Sequence, residues 1–176
     1  AIRLRGACTG VQVSNCRFEH VTQGVHVSPL NARVRNGDFL ITDNHIRYTD
    51  DGAIQVDRKG ALDSVRVLRN KLHMIGMRPN RQSSGHALSV RFPVTMEVAG
   101  NILTRCYGAG IFLFGGKGGG QPEAAPLVRN LVYNNKAEQC LLRANDWGAV
   151  EAWQGGPFYI YNNFAANPNG YWNWAA

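Results

Sequence analysis

Val67-Leu68-Arg69-Asn70-Lys71-Leu72 is the stretch on which the reading of the fold depends. Its frame, apolar-x-x-Asn-x-apolar, returns from Ile41 through Asn44 to Ile46 and from Val98 through Asn101 to Leu103. It returns again from Leu127 through Asn130 to Val132 and from Ile160 through Asn163 to Ala165. A sixth copy, Val13 through Cys16 to Phe18, carries Cys in the Asn position. Successive centres stand 28, 26, 31, 29 and 33 residues apart. Six matches at nearly one period mark a repeat architecture.

A second block follows the first five copies. It reads Gly24-Val25-His26-Val27, Ala53-Ile54-Gln55-Val56, Ala87-Leu88-Ser89-Val90, Gly110-Ile111-Phe112-Leu113 and Ala149-Val150-Glu151-Ala152. Strict alternation of apolar residues means a strand with one face buried. No stretch between the blocks has helical periodicity, so helical crossovers are excluded and successive copies must pair as parallel strands of a solenoid. Neighbouring coils then lie about 4.8 Å apart. Asn in the turn tolerates left-handed backbone, and stacked amides can hydrogen-bond from coil to coil. One coil buries too little by itself, so stacking supplies the stability.

The expectation is an all-β chain of about six coils, one solenoid segment over residues 1–176, with loop insertions at 77–84 and 114–126. The second insertion holds Gly115, Gly116, Gly118, Gly119 and Gly120 around Lys117. It lacks the spacing of a phosphate-binding loop, and no helix follows, which argues against a nucleotide site. The chain opens without Met on an uncapped apolar segment, and the reading is an internal fragment flanked by further coils or domains.

Composition agrees with a turn-rich β protein: 44% of the 176 residues are hydrophobic and 20 are Gly. The net charge of +7 favours acidic partners. The cations are dispersed, with no run of five, so nucleic acid is not the expected partner. No stretch is long and apolar enough for a membrane span. Cys8, Cys16, Cys106 and Cys140 form no CxxC pair, so a zinc site is not expected. A Cys8–Cys16 bridge is open, but buried free thiols are the favoured reading.

Aligning the second blocks produces columns of side chains. Between the inward residues run His26, Gln55, Ser89, Phe112 and Glu151. Two residues further run Ser28, Asp57, Arg91, Phe114 and Trp153. Two residues before the first column every copy has Gly or Ala, and before that stand Thr22, Asp51, Gly85, Gly108 and Trp147. These positions suggest a trough of small residues flanked by carboxylates, His, Arg and aromatics, a surface suited to a sugar chain. His26, Gln55, Asp57, Arg91, Phe112, Phe114, Lys117, Trp147, Glu151 and Trp153 are the candidate substrate contacts. The alternative is that the aromatics, with Tyr171, Trp172 and Trp174, pack under neighbouring domains.

On these residues the chain resembles the right-handed parallel β-helix superfamily, the pectin lyase-like proteins that include polygalacturonases and pectate lyases. The repeat covers residues 11–165. Asp50-Asp51-Gly52-Ala53-Ile54 is similar to the Asp-Asp motif of polygalacturonases, and Gly85-His86-Ala87-Leu88-Ser89 to their Gly-His-Gly motif. The resemblance implies Asp50 and Asp51 as general acid and base, with His86 tuning the acid. Glycoside cleavage needs two carboxylates at a defined separation. The chain departs from the family pattern in having no carboxylate at Thr22 to His26 and no clean Arg-x-Lys motif, for which Arg91 and Lys117 stand in by position.

The functional expectation is a carbohydrate-active protein handling a polysaccharide or oligosaccharide, with an acidic one favoured by the charge. Glycoside hydrolysis without a cofactor leads. A noncatalytic glycan-binding, adhesin-like or tailspike-like β-helix is the alternative. A polysaccharide lyase comes third, using Arg91, Arg58 or Lys117, and its calcium-dependent form would need the carboxylates of Asp50, Asp51 and Asp57. Pairing Asp57 with Glu151 spans three coils, roughly 14 Å from the strand spacing, beyond the about 6.5–9.5 Å of inverting hydrolases. The expected location is extracellular or periplasmic, with any signal peptide outside this segment.

Overall fold

A computed structural model describes residues 2–28, 37–56, 62–78, 85–115, 129–143, 147–153 and 157–166. Among these residues eighteen strands, numbered in chain order, build three six-stranded sheets. The first holds β1 (Ile2–Leu4), β4 (Val25–Val27), β7 (Ile54–Val56), β10 (Leu88–Arg91), β13 (Ile111–Phe114) and β16 (Val150–Trp153). The second holds β2 (Gln12–Ser14), β5 (Phe39–Thr42), β8 (Leu62–Leu68), β11 (Pro93–Ala99), β14 (Arg129–Tyr133) and β17 (Phe158–Tyr161). The third holds β3 (Arg17–Val21), β6 (His45–Thr49), β9 (Lys71–Ile75), β12 (Ile102–Cys106), β15 (Lys136–Glu138) and β18 (Phe164–Ala166).

Every pairing joins a strand to the one three places on, and every one is parallel. The chain therefore visits the three sheets in turn and climbs one coil per circuit. This is a right-handed parallel β-helix of six coils, and no helix occurs among the described residues.

Alternation within the strands fills the interior. Val25, Ile54, Leu88 and Ile111 stack in one inward column of the first sheet and Val27, Val56, Val90 and Leu113 in the next, all buried. Ile41, Val67, Val98 and Val132 line the second sheet, and Ile46, Leu72, Leu103 and Ala137 the third. Burial of each large aliphatic side chain is worth about 1.5–3 kcal/mol.

The corner between the second and third sheets repeats in all six coils. Asn15, Asp43, Arg69, Gly100, Asn134 and Asn162 adopt positive φ, between 51 and 66°. The residue after each is Cys16, Asn44, Asn70, Asn101, Asn135 or Asn163. The left-handed residue bends the chain, so the repeated Asn is freed from that task. Its side chain turns inward, where from Asn44 to Asn135 each Nδ2 donates to a carbonyl of the preceding coil and to the next Asn Oδ1. The amide ladder runs Asn44–Asn70–Asn101–Asn135–Asn163 and ends at Cys16, whose backbone N–H donates to Asn44 Oδ1.

The fifth rung corrects the sequence reading. Asn135, not Asn130, occupies it, within the frame Val132-Tyr133-Asn134-Asn135-Lys136-Ala137. Asn130 lies in β14 at an inward position, in register with Met96 and Phe158. It is fully buried, and neither its Nδ2 nor its Oδ1 has a hydrogen-bond partner. Cys106 and Cys140 are buried free thiols, Cys16 is a half-buried one, and Cys8 is half-buried. The hydrogen bond to Cys140, with burial, holds the Cys106 thiol well above the usual range.

Candidate functional site

The outer wall of the first sheet has the expected register. Arg3, His26, Gln55, Ser89, Phe112 and Glu151 form one column, and Arg91, Phe114 and Trp153 the next. The middle of the wall is closed to solvent, however: Gln55, Ser89 and Phe112 are buried although they face away from the core. Asp57 and Lys117 lie outside the described residues, as do residues 79–84 and 116–126 of the two expected insertions.

Among the described residues the small-residue column does not line an open trough. Gly24, Ala53, Ala87 and Gly110 are buried at the corner between the third and first sheets. A Cβ on Gly24 would stand 2.8 Å from Ile46 Cδ1, and one on Gly110 would stand 3.0 Å from Cys140 Sγ. Both neighbours belong to the interior. The alternation that holds along β4 fails one residue before it, because the chain is already turning the corner. Small residues are required there because two sheets converge.

Asp51 sits at that corner on the second coil and is only 6% exposed. Gln23, one coil earlier, donates from Nε2 to Asp51 Oδ2 at 2.8 Å and to Gln55 Oε1 at 2.6 Å. Gln55 donates in turn to Asp51 Oδ1 at 3.3 Å. Both carboxylate oxygens therefore accept from glutamine amides in a closed three-residue ring. Asp50 points elsewhere, to Arg78 Nε at 3.2 Å. The two adjacent aspartates thus have different partners. Gln23 is the member that the sequence reading did not single out. The available signal was its position one coil below Asp51, in the Thr22–His26 stretch where the family pattern has a carboxylate.

His86 lies on the next coil, 3% exposed. Its Nδ1 accepts from the Ala109 backbone N–H at 3.1 Å. That role requires the ring proton on Nε2. A Cβ on Gly52 would lie 2.7 Å from the His86 carbonyl and 2.5 Å from Gln55 Nε2, so the Asp51 corner abuts the His86 backbone. The His86 ring packs away along the wall. It stacks on Phe112 at 4.4 Å and 3°, and Trp147 meets it edge-on at 4.9 Å.

An aromatic cluster continues from there toward the last coil. The Arg91 guanidinium lies 5.6 Å above the Phe112 ring. Phe114 meets Phe92 at 4.9 Å and Trp153 at 5.4 Å, both edge to face. Trp153 is 51% exposed, and Phe114 and Arg91 are half-buried, so this end of the wall reaches solvent. Glu151 accepts the Gly148 backbone N–H at Oε2, 2.7 Å away, and holds its own turn.

The structure thus separates the candidate residues into two groups. Asp51 and Gln55 join Gln23 in a buried polar ring. His86, Arg91, Phe112, Phe114, Trp147 and Trp153 form an aromatic cluster with one exposed edge. His26 stands one coil before Gln55, and Glu151 three strands beyond it. Among the described residues no three His, Cys, Asp or Glu side chains gather as a metal-binding group. Among the described residues there is no helix long and apolar enough to cross a membrane. Comparison with protein-family models, with curated proteins and with solved structures found no match.

Proposed function

We propose that this protein is a glycan-binding β-helix of the pectin lyase-like kind, which takes a polysaccharide over the outer wall of its first sheet outside the cell or in the periplasm. The observation that carries this reading is the exposed edge of the aromatic cluster. Trp153 is half exposed and braced edge-on by Phe114 at 5.4 Å, with Arg91 on the neighbouring strand. A rigid ring that reaches solvent while Phe114 and Arg91 beside it are half-buried offers a flat apolar platform at low entropic cost. A pyranose ring has the matching shape, and Arg91 suits a uronate carboxylate. The net charge of +7 favours the same acidic polymers.

The test is affinity electrophoresis in gels containing polygalacturonate, alginate or xylan. The wild-type chain is retarded by at least one polymer, and Trp153→Ala loses at least about tenfold in affinity, the size expected for removal of an interface anchor. Equal retardation of wild type and variant in every gel overturns the reading.

Glycoside hydrolysis is the second reading, favoured by the contact of the Asp51 corner with the His86 backbone. In that reading Asp51, with both oxygens accepting, serves as the base, and the acid has to come from another group. Release of reducing ends from the same polymers, lost in Asp51→Asn, supports hydrolysis. Turnover that is unchanged in Asp51→Asn removes this site.

A further inference from the structure

A second polar surface lies on the outer face of the second sheet, a third of the way around the solenoid from the aromatic ledge. An open groove of about 220 Å³ is lined there by Ser64, Arg66, Thr95, Glu97, Arg129 and Leu131. Its volume is below the about 300–1,000 Å³ of sites for drug-sized ligands, and it suits one ring rather than an oligomer.

Strand register explains the arrangement. Thr95 and Glu97 both face outward from β11 and form the floor. Arg66 stands beside Glu97 on the preceding coil, and Arg129 beside Thr95 on the following coil. The two guanidinium groups therefore approach from opposite sides and opposite ends of the floor, on strands about 9.6 Å apart at two interstrand steps. Arginine side chains reach across such a gap. Among the described residues Glu97 is the one carboxylate lining the groove, and it is committed: its Oε1 accepts from the Tyr133 hydroxyl. That hydrogen bond pushes the Tyr133 hydroxyl above its ordinary range, so Tyr133 remains the donor. Thr95 donates to the Asp63 carbonyl at 2.8 Å and so presents a lone pair to the groove.

The lining thus combines two forked cations, hydroxyl oxygens and a fixed carboxylate acceptor. Two cations against one carboxylate select an anion. The acceptors select a ligand that also carries several hydroxyl groups. We propose that this groove is a separate subsite for a single sugar acid, a uronate residue or a chain end, whose carboxylate is gripped between Arg66 and Arg129 while its hydroxyls face Thr95 and Glu97. The groove stands on its own geometry; the choice of a sugar acid over other hydroxylated carboxylates rests on the polysaccharide reading above.

The experiment is a titration of the ¹⁵N-labelled protein with D-galacturonate, followed by amide chemical shifts, with glucose and acetate as parallel probes. Galacturonate is expected to shift the amides around Arg66, Thr95, Glu97 and Arg129, with at least a tenfold weaker response in Arg129→Ala. Arg66→Lys keeps the charge but loses the fork, and is expected to weaken binding as well. Trp153→Ala is expected to leave the shifts around Arg66, Thr95, Glu97 and Arg129 unchanged, since Trp153 does not line the groove. Failure of galacturonate to shift these amides, or an equal response to acetate or glucose, overturns the proposal. If the groove responds while Trp153→Ala does not alter polymer retardation, the subsite stands and the ledge reading alone falls.

Discussion

Asn70 and Asn101 are 31 residues apart in sequence and one coil apart in space, and Asn101 Oδ1 accepts both the backbone N–H of Asn70, at 2.9 Å, and its Nδ2, at 3.0 Å. Asn70 also donates to the Ile41 carbonyl at 2.9 Å, so three coils are tied through one buried amide. Replacement of Asn70 by Leu strips partners from Asn44 and Ile41 in the dry interior. An unsatisfied buried polar group costs about 1–3 kcal/mol, and more than one is created here. Asn70→Leu is expected to lower the urea midpoint by the equivalent of about 3 kcal/mol or more. A change below about 0.5 kcal/mol would show that the ladder is dispensable.

Asn130 supports the opposite substitution. It is fully buried in an inward column with Val65, Met96 and Phe158, and its side-chain amide has no partner. Met at this position matches its neighbours and removes the unpaired amide. Asn130→Met is expected to stabilise the chain by about 1–3 kcal/mol in chemical denaturation. Destabilisation would show that the amide is satisfied in solution.

Gly24 tests the packing of the corner. A Cβ there would stand 2.6 Å from the Ala53 carbonyl and 2.8 Å from Ile46 Cδ1. Gly24→Ala is expected to cost about 1–3 kcal/mol by overpacking. A neutral result in thermal unfolding would return the small-residue column to the surface.

Glu19 supplies a pH-dependent test. Hydrogen bonds from Arg47 and then Arg17 lower its carboxyl to about 2. A depressed carboxyl stabilises the fold above its unfolded value, near 4.5, and loses that contribution as pH falls toward 2. The pair is partly solvated, so the effect on stability is small and the titration itself is the better observable. By carbon-detected NMR, Glu19 is expected to titrate near 2 in the wild type and closer to 4.5 in Arg47→Met. An unchanged midpoint in the variant would remove Arg47 as the main cause.

The coils could be read from local sequence because each one repeats the same short-range constraints. Alternating Val, Ile and Leu defines a strand with one buried face, and Asn at a fixed offset marks the following corner. Asn130 shows the limit of that reading. The overlapping frames Leu127 to Val132 and Val132 to Ala137 both satisfy apolar-x-x-Asn-x-apolar. Only pairing of Val132 with Val98 and Ile160 decides which Asn is the rung. The columns of the first-sheet wall were legible for the same reason as the coils. Their exposure was not, since alternation distinguishes the two faces of a strand without saying whether the outer one meets solvent.

Period and alternation in the sequence alone determined a stacked parallel β solenoid and the order of side chains along its walls, because both depend on residues close together in the chain. The tertiary structure alone decided what those side chains do. Asp51 is held by Gln23 and Gln55, the small residues turn into the core, and Arg66 and Arg129 flank one groove. These relationships depend on which coil lies beside which corner, and that is set by packing between segments separated by a full turn of the helix.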